Sequence, residues 1–412
     1  MNALHLSSEQ SSLLSQIELC INAAKQLQLD RPVELSTDLT GQTQLWIDDC
    51  NQQFDFKSFS ELCDADLLTT AIHIAVAPSD MTVLEAQESV AQYSNLVLLN
   101  VQADSGFLDI WQFDSNSRAL FYTHVGELDS HHAMLLTALA FEFPLEDALT
   151  LARANVSRET WPTEKSDFPT PILPGTRLAQ SLGWQSDITY PEKFSTTDES
   201  KLGLYPVVDS VEWIEKLLVM GITTLQLRIK DPENPNLERE IERSIQLGHR
   251  YKAQLYINDY WQLAIKYGAY GVHLGQEDLE IADMQAISSA GLRLGLSTHG
   301  YYEILRISQL NPSYIALGHI FPTTTKEMPS KPQGLSRLTC YRQLTRDFPT
   351  VAIGGINLSR AEVVWKTGVS SLAVVRAVTE AENPHKAIQQ FKQIMNQTPQ
   401  LAFRGGSNDA AD

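Results

Sequence analysis

Two aspartates follow apolar runs in consecutive segments of the chain. Asp259 comes just after Leu255–Ile257, and Asp278 follows Val272–Leu274 through a short turn. Each run is typical of a buried parallel strand, and α/β folds place their chemistry at the carboxyl ends of such strands. Two carboxylates at neighbouring strand ends suit Mg²⁺, which binds one or two carboxylates together with water and substrate phosphates. The alternative is that each aspartate only caps the helix after it.

Cations and glycines stand at other predicted strand ends. Arg228 and Lys230 close one strand, and Lys326 lies in a long loop after another. Cations and Mg²⁺ around one pocket suit a diphosphate, whose charge must be stabilised as it leaves. Gly354-Gly355 would let backbone N–H groups approach a second phosphate. Together these residues indicate a transfer reaction with loss of diphosphate. The alternative is that the cations are solvated and the glycines mark a tight turn.

A regular alternation of strands and helices positions these residues. From about residue 201, eight strand–helix units of similar length follow one another to about residue 396. This pattern predicts a (β/α)₈ TIM barrel, whose active face collects the carboxyl ends of all eight strands. An open doubly wound sheet is the alternative. The fold class is therefore α/β, with a C-terminal barrel preceded by a separate α/β domain.

Length and charge divide the chain in two. The 412 residues exceed one ordinary core. Residues 1–200 hold 9 Lys and Arg against 29 Asp and Glu, whereas the remainder is nearly neutral. We expect residues 1–161 to form an α/β domain, 162–200 to be a proline-containing linker, 201–396 to form the barrel and 397–412 to be a disordered tail.

The same composition excludes several classes of partner. An acidic first half opposes nucleic-acid binding and anionic membranes. No apolar run is long enough to span a bilayer, and the N-terminus lacks a signal peptide. The four cysteines have no metal-ligand or redox spacing. We therefore expect a cytoplasmic protein that binds small molecules, with neither nucleic acid nor membrane as partner.

The second half resembles the thiamine phosphate synthases over nearly all of residues 202–392. The resemblance rests on the motifs Gln226-Leu227-Arg228-Ile229-Lys230, Asn258-Asp259, His273-Leu274-Gly275-Gln276-Glu277-Asp278, Pro322-Thr323-Thr324-Thr325-Lys326 and Ile353-Gly354-Gly355-Ile356. It implies a (β/α)₈ barrel that joins 4-amino-2-methyl-5-hydroxymethylpyrimidine diphosphate to 4-methyl-5-hydroxyethylthiazole phosphate. The implied products are thiamine phosphate and diphosphate, and the implied cofactor is Mg²⁺.

The resemblance also implies a role for each matching residue. Asp259 and Asp278 are expected to bind Mg²⁺. The expected contacts of the pyrimidine diphosphate are Gln226, Arg228, Lys230, Asn258, Ser297 and Lys326, of which Arg228, Ser297 and Lys326 are the expected catalytic residues. The expected contacts of the thiazole phosphate are Thr323, Thr325, Gly355, Val375 and Arg376. The family reaction is dissociative, so diphosphate leaves before the thiazole nitrogen attacks.

Two rival functions and one further resemblance complete the sequence-based predictions. A thiazole tautomerase would use a histidine after the fifth strand, where His299 stands, and a non-catalytic regulator would only bind thiamine precursors. Residues from about 96 to 158 are similar to hydroxymethylpyrimidine phosphate kinases, which are ribokinase-like. Asp129 to His132 lack the glycines with which that family binds phosphate. We therefore predict a degenerate domain without kinase activity.

Overall fold

The computed structural model describes residues 2–29, 31–38, 43–47, 50–62, 64–184, 186–323 and 331–400. The chain folds as two compact units that divide between Ile188 and Thr189. Both units are α/β, and the second is a closed parallel barrel, so the predicted fold class is confirmed. Among the described residues, no helix combines the length and apolar character that crossing a bilayer requires.

In the described part of the first unit, nine strands form one mixed sheet. In chain order these are β1 Asn2–Ser7, β2 Val33–Asp38, β3 Thr43–Ile47, β4 Cys50–Ser58, β5 Ile72–Val76, β6 Leu96–Ala103, β7 Gly106–Phe113, β8 Asn116–Tyr122 and β9 Thr170–Pro171. Their order across the sheet is β2-β1-β3-β4-β5-β6-β7-β8-β9. Neighbours are parallel at β1/β2, β4/β5 and β5/β6 and antiparallel elsewhere.

Among the residues that the structure describes, six α-helices accompany this sheet. They are α1 Leu14–Gln26, α2 Asp64–Leu67, α3 Val83–Gln92, α4 Leu128–Ala140, α5 Leu145–Ala152 and α6 Arg177–Ser181. Short 3₁₀ helices occupy Ser8–Leu13, Phe59–Glu61 and Lys165–Asp167. Thr82 caps α3 through a complete capping box with Glu85. From His131 to its end, α4 is buried, which its apolar sequence explains because such a helix must be covered on every side.

The predicted linker over 162–200 differs from the structure. β9 pairs with β8, and α6 contributes Ala179 to the same apolar core as Ile172 and Trp184. The physical reason is burial, since apolar side chains spaced among the prolines pack under the sheet. The rest of the segment belongs to the barrel, where Phe194 is only 4% exposed. The predicted tail over 397–412 lies outside the described residues from residue 401 onward.

A buried polar cluster joins α4 and α5 to the sheet of the first unit. The carboxylate of Asp109, on β7, is fully buried and accepts hydrogen bonds from Arg153 Nε (2.5 Å) and the Tyr122 hydroxyl (2.7 Å). His131 Nε2 lies 3.7 Å from the same carboxylate. Burial lowers the pKa of His131 to about 4 and that of His132 to about 2. Both imidazoles are therefore neutral at pH 7.

The second unit is the barrel. Its strands are β10 Leu204–Val208, β11 Thr224–Leu227, β12 Gln254–Asn258, β13 Gly271–Leu274, β14 Arg293–Thr298, β15 Tyr314–Leu317, β16 Thr350–Ala352 and β17 Ser371–Val374. All neighbours are parallel, and β17 closes the barrel against β10. The helices are α7 Val211–Val219, α8 Leu237–Tyr251, α9 Trp261–Tyr267, α10 Met284–Ser289, α11 Tyr301–Ser308, α12 Gly334–Leu344, α13 Leu358–Lys366, α14 Arg376–Thr379 and α15 Pro384–Gln397. Two 3₁₀ helices lie at Glu199–Lys201 and Glu277–Glu280.

Three buried tyrosines fill the barrel interior instead of the usual branched aliphatics. Tyr256 and Tyr314 meet edge to face with ring centroids 5.0 Å apart, and Tyr205 packs against both. Neighbouring strands leave the necessary space because they carry glycine opposite two of the rings. A Cβ at Gly271 would lie 2.5 Å from the Tyr256 ring, and one at Gly295 would lie 2.1 Å from Tyr314. Each ring therefore occupies space that a side chain larger than glycine at position 271 or 295 would need.

The segment before β10 is part of the barrel unit. Thr197 Oγ1 donates to Gln254 Oε1 at 3.0 Å, and the backbone N–H of Asp198 donates to the same oxygen at 2.8 Å. The Tyr256 hydroxyl donates to Thr197 Oγ1 at 3.1 Å. These hydrogen bonds satisfy buried polar groups at the amino-terminal end of the strands. The barrel therefore needs residues that precede its first strand.

Candidate active site

A cavity of about 960 Å³ opens at the carboxyl ends of the barrel strands. Ten of the thirteen predicted site residues line it: Gln226, Arg228, Lys230, Asn258, Asp259, Ser297, Thr323, Gly355, Val375 and Arg376. Parallel strands bring these residues together although they are far apart in sequence. Thr325 and Lys326 lie outside the described residues. Asp278 is described, and it occupies the turn after β13 beside the cavity residues Gly275 and Glu277.

The cationic side of the cavity is formed at the end of β11. Gln226 is the last polar residue on that strand and is nearly fully buried, and Arg228 follows it. The Arg228 backbone N–H donates to the Val208 carbonyl at 2.7 Å, which fixes the start of this side chain against β10. Lys230 is exposed at the rim. Arginine can bind two phosphate oxygens at once, whereas lysine acts as a compact charge.

Asp259 faces these cations from the end of β12. Its backbone has φ of 66°, in the left-handed region that aspartate and asparagine tolerate better than most residues. Its N–H donates to the His273 carbonyl at 3.0 Å, so the turn is tied to the neighbouring strand β13. The strained backbone holds the carboxylate at the cavity wall. A functional position accounts for such a conformation.

Asp278 is oriented by its own turn. Its Oδ2 accepts a hydrogen bond from the Gly275 N–H at 2.7 Å. This contact orients the carboxylate, whose two oxygens can accept several hydrogen bonds or a metal ion. Among the described residues, no group of three or more His, Cys, Asp and Glu is arranged to hold a metal. A two-carboxylate donor set fits Mg²⁺, which completes its shell with water and substrate phosphates.

Ser297 and His273 form a hydrogen-bonded pair on the cavity wall. His273 Nε2 lies 2.9 Å from Ser297 Oγ, and the side chain of His273 is held from behind by Tyr314. Both ring nitrogens of His273 therefore have hydrogen-bond partners within the barrel wall. Gln276 donates to the Ser297 carbonyl at 2.7 Å and thereby ties the end of β14 to the turn after β13.

The opposite side of the cavity is suited to a phosphate. Gly354 and Gly355 have φ of 103° and 64°, and a Cβ at either would lie within 2.7 Å of atoms in the segment 319–322. Only glycine fits both positions, so their backbone faces the cavity without side chains. Val375 follows the next strand, β17, and is the N-cap of the short helix α14, which begins at Arg376. Barrels commonly bind phosphate between these two loops.

Several cavity residues were not predicted from the sequence, among them Trp213, Arg360 and His319. Trp213 lies in the first turn of α7 and lines the wall. Arg360 donates to the Gly355 carbonyl at 2.7 Å and stacks over the Phe321 ring, so it braces the glycine turn. His319 follows β15, and burial together with His299 lowers its pKa. Their positions after strands are the signal that sequence reasoning could have used.

His299, the residue that a tautomerase would need, also lines the cavity. Its Nδ1 lies 2.9 Å from Glu303 Oε2, and its backbone N–H donates to the same oxygen at 2.7 Å. A histidine oriented by a carboxylate is suited to acid–base work. The cations and aspartates on the other side of the cavity are not needed for an isomerisation.

The family model for thiamine monophosphate synthase matches residues 204–378. The thiamine-phosphate synthase of Yersinia pestis (strain Pestoides F) is 59% identical over 197 residues, which are 48% of this chain and 92% of that protein. The chain belongs to the thiamine-phosphate synthase family. The thiamine-phosphate synthase of Proteus mirabilis (strain HI4320) is 62% identical over 185 residues, 45% of this chain and 86% of the relative. The predicted function and enzyme class, a transferase, are thereby confirmed.

A solved thiamine phosphate pyrophosphorylase from Pyrococcus furiosus is similar to the same half of the chain. It is 32% identical, with a TM-score of 0.43, and the match covers 48% of this chain and 97% of that structure. The residues that the family model matches, 204–378, lie within the barrel unit.

Proposed function

We propose that the barrel joins 4-amino-2-methyl-5-hydroxymethylpyrimidine diphosphate to 4-methyl-5-hydroxyethylthiazole phosphate, giving thiamine phosphate and diphosphate. The observation that carries this proposal is the division of one cavity into two anion-binding sides. Arg228 and Lys230 stand with Asp259 on one side, and Gly354–Gly355 with α14 form the other. A diphosphate and a monophosphate have the charges that these two sides would bind.

Asp259 and Asp278 would hold Mg²⁺ together with phosphate oxygens of the substrate. When bound, Mg²⁺ neutralises charge on the diphosphate as it leaves. Arg228, Lys230 and the sequence-predicted Lys326 supply further positive charge to the same group. Gln226 and Asn258, both nearly fully buried at strand ends, position the pyrimidine diphosphate. Ser297 contacts the pyrimidine substrate from β14, so we assign it a catalytic role together with Arg228 and Lys326.

The thiazole phosphate occupies the second side of the cavity. Backbone N–H groups near Gly355, Val375 and Arg376 would bind its phosphate, and Thr323 with the sequence-predicted Thr325 would contact it from the loop after β15. The bound phosphate places the thiazole next to the pyrimidine, so that its nitrogen attacks once diphosphate has left. Holding both reactants in one cavity converts a bimolecular step into an intramolecular one.

The test is a coupling assay on the full chain with both substrates and Mg²⁺. We expect thiamine phosphate and diphosphate in equal amounts, with no product when Mg²⁺ is removed by a chelator. Isomerisation of the thiazole phosphate in the absence of pyrimidine diphosphate would instead indicate isomerase chemistry at His299. Binding of both substrates without turnover would indicate a regulator and would refute the proposal.

We infer that the first unit carries no kinase activity. The start of α4, where a phosphate-binding turn would be needed, is already filled by side chains. Ser130 accepts a hydrogen bond from Arg158 Nε at 2.7 Å, and His131 and His132 are buried beneath it. Incubation of the full chain with Mg-ATP and hydroxymethylpyrimidine or its phosphate should therefore give no ADP above the background rate. ADP formation that is lost in Asp129→Ala would overturn this inference.

A further inference from the structure

A continuous line of hydrogen bonds runs behind the substrate cavity. Gln226 Nε2 donates to the Tyr205 hydroxyl at 3.3 Å, and this hydroxyl lies 2.9 Å from that of Tyr314. The Tyr314 hydroxyl is 2.7 Å from His273 Nδ1, and His273 Nε2 is 2.9 Å from Ser297 Oγ. The five side chains come from five barrel strands, and we call them the hydroxyl relay.

Gln226 fixes the direction of the first hydrogen bond of the relay, and the tautomer of His273 decides the direction of the others. The amide nitrogen of Gln226 can only donate, so Tyr205 accepts from it. The Tyr205 hydroxyl could also accept from Tyr314 through its second lone pair; in the direction that leads towards Ser297, it gives its own hydrogen to Tyr314. Tyr314 then accepts from Tyr205 and gives its hydrogen to Nδ1 of His273. Because Nδ1 is an acceptor, a neutral His273 carries its hydrogen on Nε2 and donates it to Ser297.

Burial keeps the two tyrosines of the hydroxyl relay uncharged. Tyr205 and Tyr314 are almost completely buried, and this burial raises the pKa of both phenols, so each remains a neutral hydroxyl. His273 is 8% exposed, and its ring lies nearly parallel to that of Tyr314, with an interplanar angle of 14°. The histidine therefore cannot turn to exchange its two nitrogens without breaking contacts on both sides.

We propose that Tyr205 and Tyr314 are positioning residues that hold His273 in its Nε2–H tautomer and thereby make Ser297 a hydrogen-bond donor to the substrate. The Ser297 oxygen accepts from His273, and its single hydrogen is left to point into the cavity. Hydrogen bonds aligned in one direction strengthen one another. The positive end of the relay then faces the cavity, where negative charge develops on the leaving diphosphate. This inference rests on the proposed substrate site.

The kinetic test compares two tyrosines of the same buried cluster. Tyr314→Phe removes a hydroxyl from the relay, whereas Tyr256→Phe removes one that bonds Thr197 outside it. We expect kcat of Tyr314→Phe to fall about tenfold, the rate equivalent of one hydrogen bond, with KM little changed. Tyr256→Phe should keep the wild-type kcat. Tyr205→Phe, which interrupts the relay one step earlier, should behave like Tyr314→Phe and serves if Tyr314→Phe does not fold.

A spectroscopic readout separates this role from a merely structural one. In protein labelled with ¹⁵N-histidine, the two ring nitrogens of a neutral imidazole have distinct chemical shifts that report the tautomer. The His273 signals are assigned by their loss in His273→Gln. We expect the Nε2–H tautomer in wild type and Tyr256→Phe, and a mixture of tautomers or a protonated ring in Tyr314→Phe.

Two results would overturn the proposal. One is an Nδ1–H tautomer of His273 in the wild-type protein, because Ser297 would then have to donate to the histidine. The other is a Tyr314→Phe variant that matches Tyr256→Phe in both kcat and tautomer. If the wild-type protein forms no thiamine phosphate, the proposed function fails, and the tautomer measurement still decides whether the relay exists.

Discussion

At the scale of single residues, Asp259 combines a strained backbone with a charged side chain. Its positive φ and its hydrogen bond to the β13 carbonyl of His273 hold the carboxylate at the cavity wall. Alanine at position 259 would remove the carboxylate and would also favour a different backbone conformation. The effect of the charge could then not be separated from the effect of the backbone. Asparagine tolerates the same backbone conformation and differs only in charge, which makes it the informative substitution.

We predict that Asp259→Asn weakens Mg²⁺ activation without unfolding the barrel. Loss of a ligand charge should raise the Mg²⁺ concentration for half-maximal activity by at least roughly tenfold. The measurement is coupling activity against Mg²⁺ concentration. Asp283→Asn is the matched control, because Asp283 caps α10 through the Ala286 N–H and asparagine caps equally well. An unchanged Mg²⁺ requirement in Asp259→Asn would remove Asp259 from the metal site.

We predict that Lys326→Ala lowers kcat more than it weakens binding of thiazole phosphate. Lys326 lies outside the described residues, so this expectation rests on its place in the long loop after β15. Charge on the departing diphosphate is larger in the transition state than in the ground state. The loss should raise the barrier by roughly 2–4 kcal/mol. Lys331→Ala, in the same loop, is the control, and a rise in KM with unchanged kcat would contradict the prediction.

The sequence predicted most of the site because strand ends can be read without coordinates. Residue types such as Arg228 and Asp259 are conspicuous after apolar runs, and a barrel must bring them together. Tyr205 and Tyr314 could not be found in this way. An aromatic residue inside a strand is typical of the core, and only the three-dimensional contacts show that their hydroxyls meet His273.

At the scale of elements, the polar cluster between α4, α5 and β7 makes the stability of the first unit depend on pH. Native His131 has a pKa lowered by burial to about 4, whereas the unfolded value is 6.5. Between these values, the unfolded chain binds a proton that the native state excludes. The contribution of His131 to the stability of the first unit is therefore fully present above pH 6.5 and is lost as the pH decreases towards 4.

We predict that His131→Gln flattens this pH dependence. Removing His131 should abolish its own share of the loss between pH 6.5 and 4, roughly 3 kcal/mol as the equivalent of its pKa shift. The share of His132, whose pKa burial also lowers, should remain. The measurement is the urea dependence of hydrogen exchange in α4 peptides of the full chain. Comparison with wild type at each pH removes the intrinsic effect of pH on exchange. Identical slopes in the two proteins would show that His131 does not titrate on unfolding.

Element boundaries show where sequence patterns are informative and where they are not. The barrel strands were predicted because their apolar runs recur regularly along the chain. Ser7 shows that a capping residue alone predicts little, since its side chain caps no N–H and a 3₁₀ helix follows it. β9 was missed because two residues carry no periodicity, and only pairing with β8 makes them a strand.

At the scale of the whole molecule, the boundary between the units lies earlier than the charge pattern indicated. The charge balance changes near residue 200, whereas the compact units divide at residue 188. Charge reports the surface, and the boundary is set by buried contacts that composition does not reveal. Thr197 and Asp198 lie in the acidic first half of the sequence. Their hydrogen bonds to Gln254 nevertheless make them part of the barrel.

We predict that a chain beginning at Thr189 keeps the coupling activity of the full protein. A chain beginning at Leu202 should be less stable by roughly 3 kcal/mol or more, because it loses the buried Phe194 and the hydrogen bonds of Thr197. Thermal unfolding and the coupling assay on both truncations are the measurements. Equal stability of the two would show that residues 189–201 contribute nothing to the barrel.

Inside the barrel, two glycines each leave space that a tyrosine on the neighbouring strand fills. This packing has an evolutionary consequence. Gly295 leaves the space that Tyr314 occupies, and Gly271 does the same for Tyr256. Neither member of a pair can change size alone without a clash or a void. In aligned relatives, a larger residue at position 295 should therefore coincide with a smaller one at 314. The two positions would covary although they lie on different strands, and lineages that lose the tyrosine would lose the relay with it.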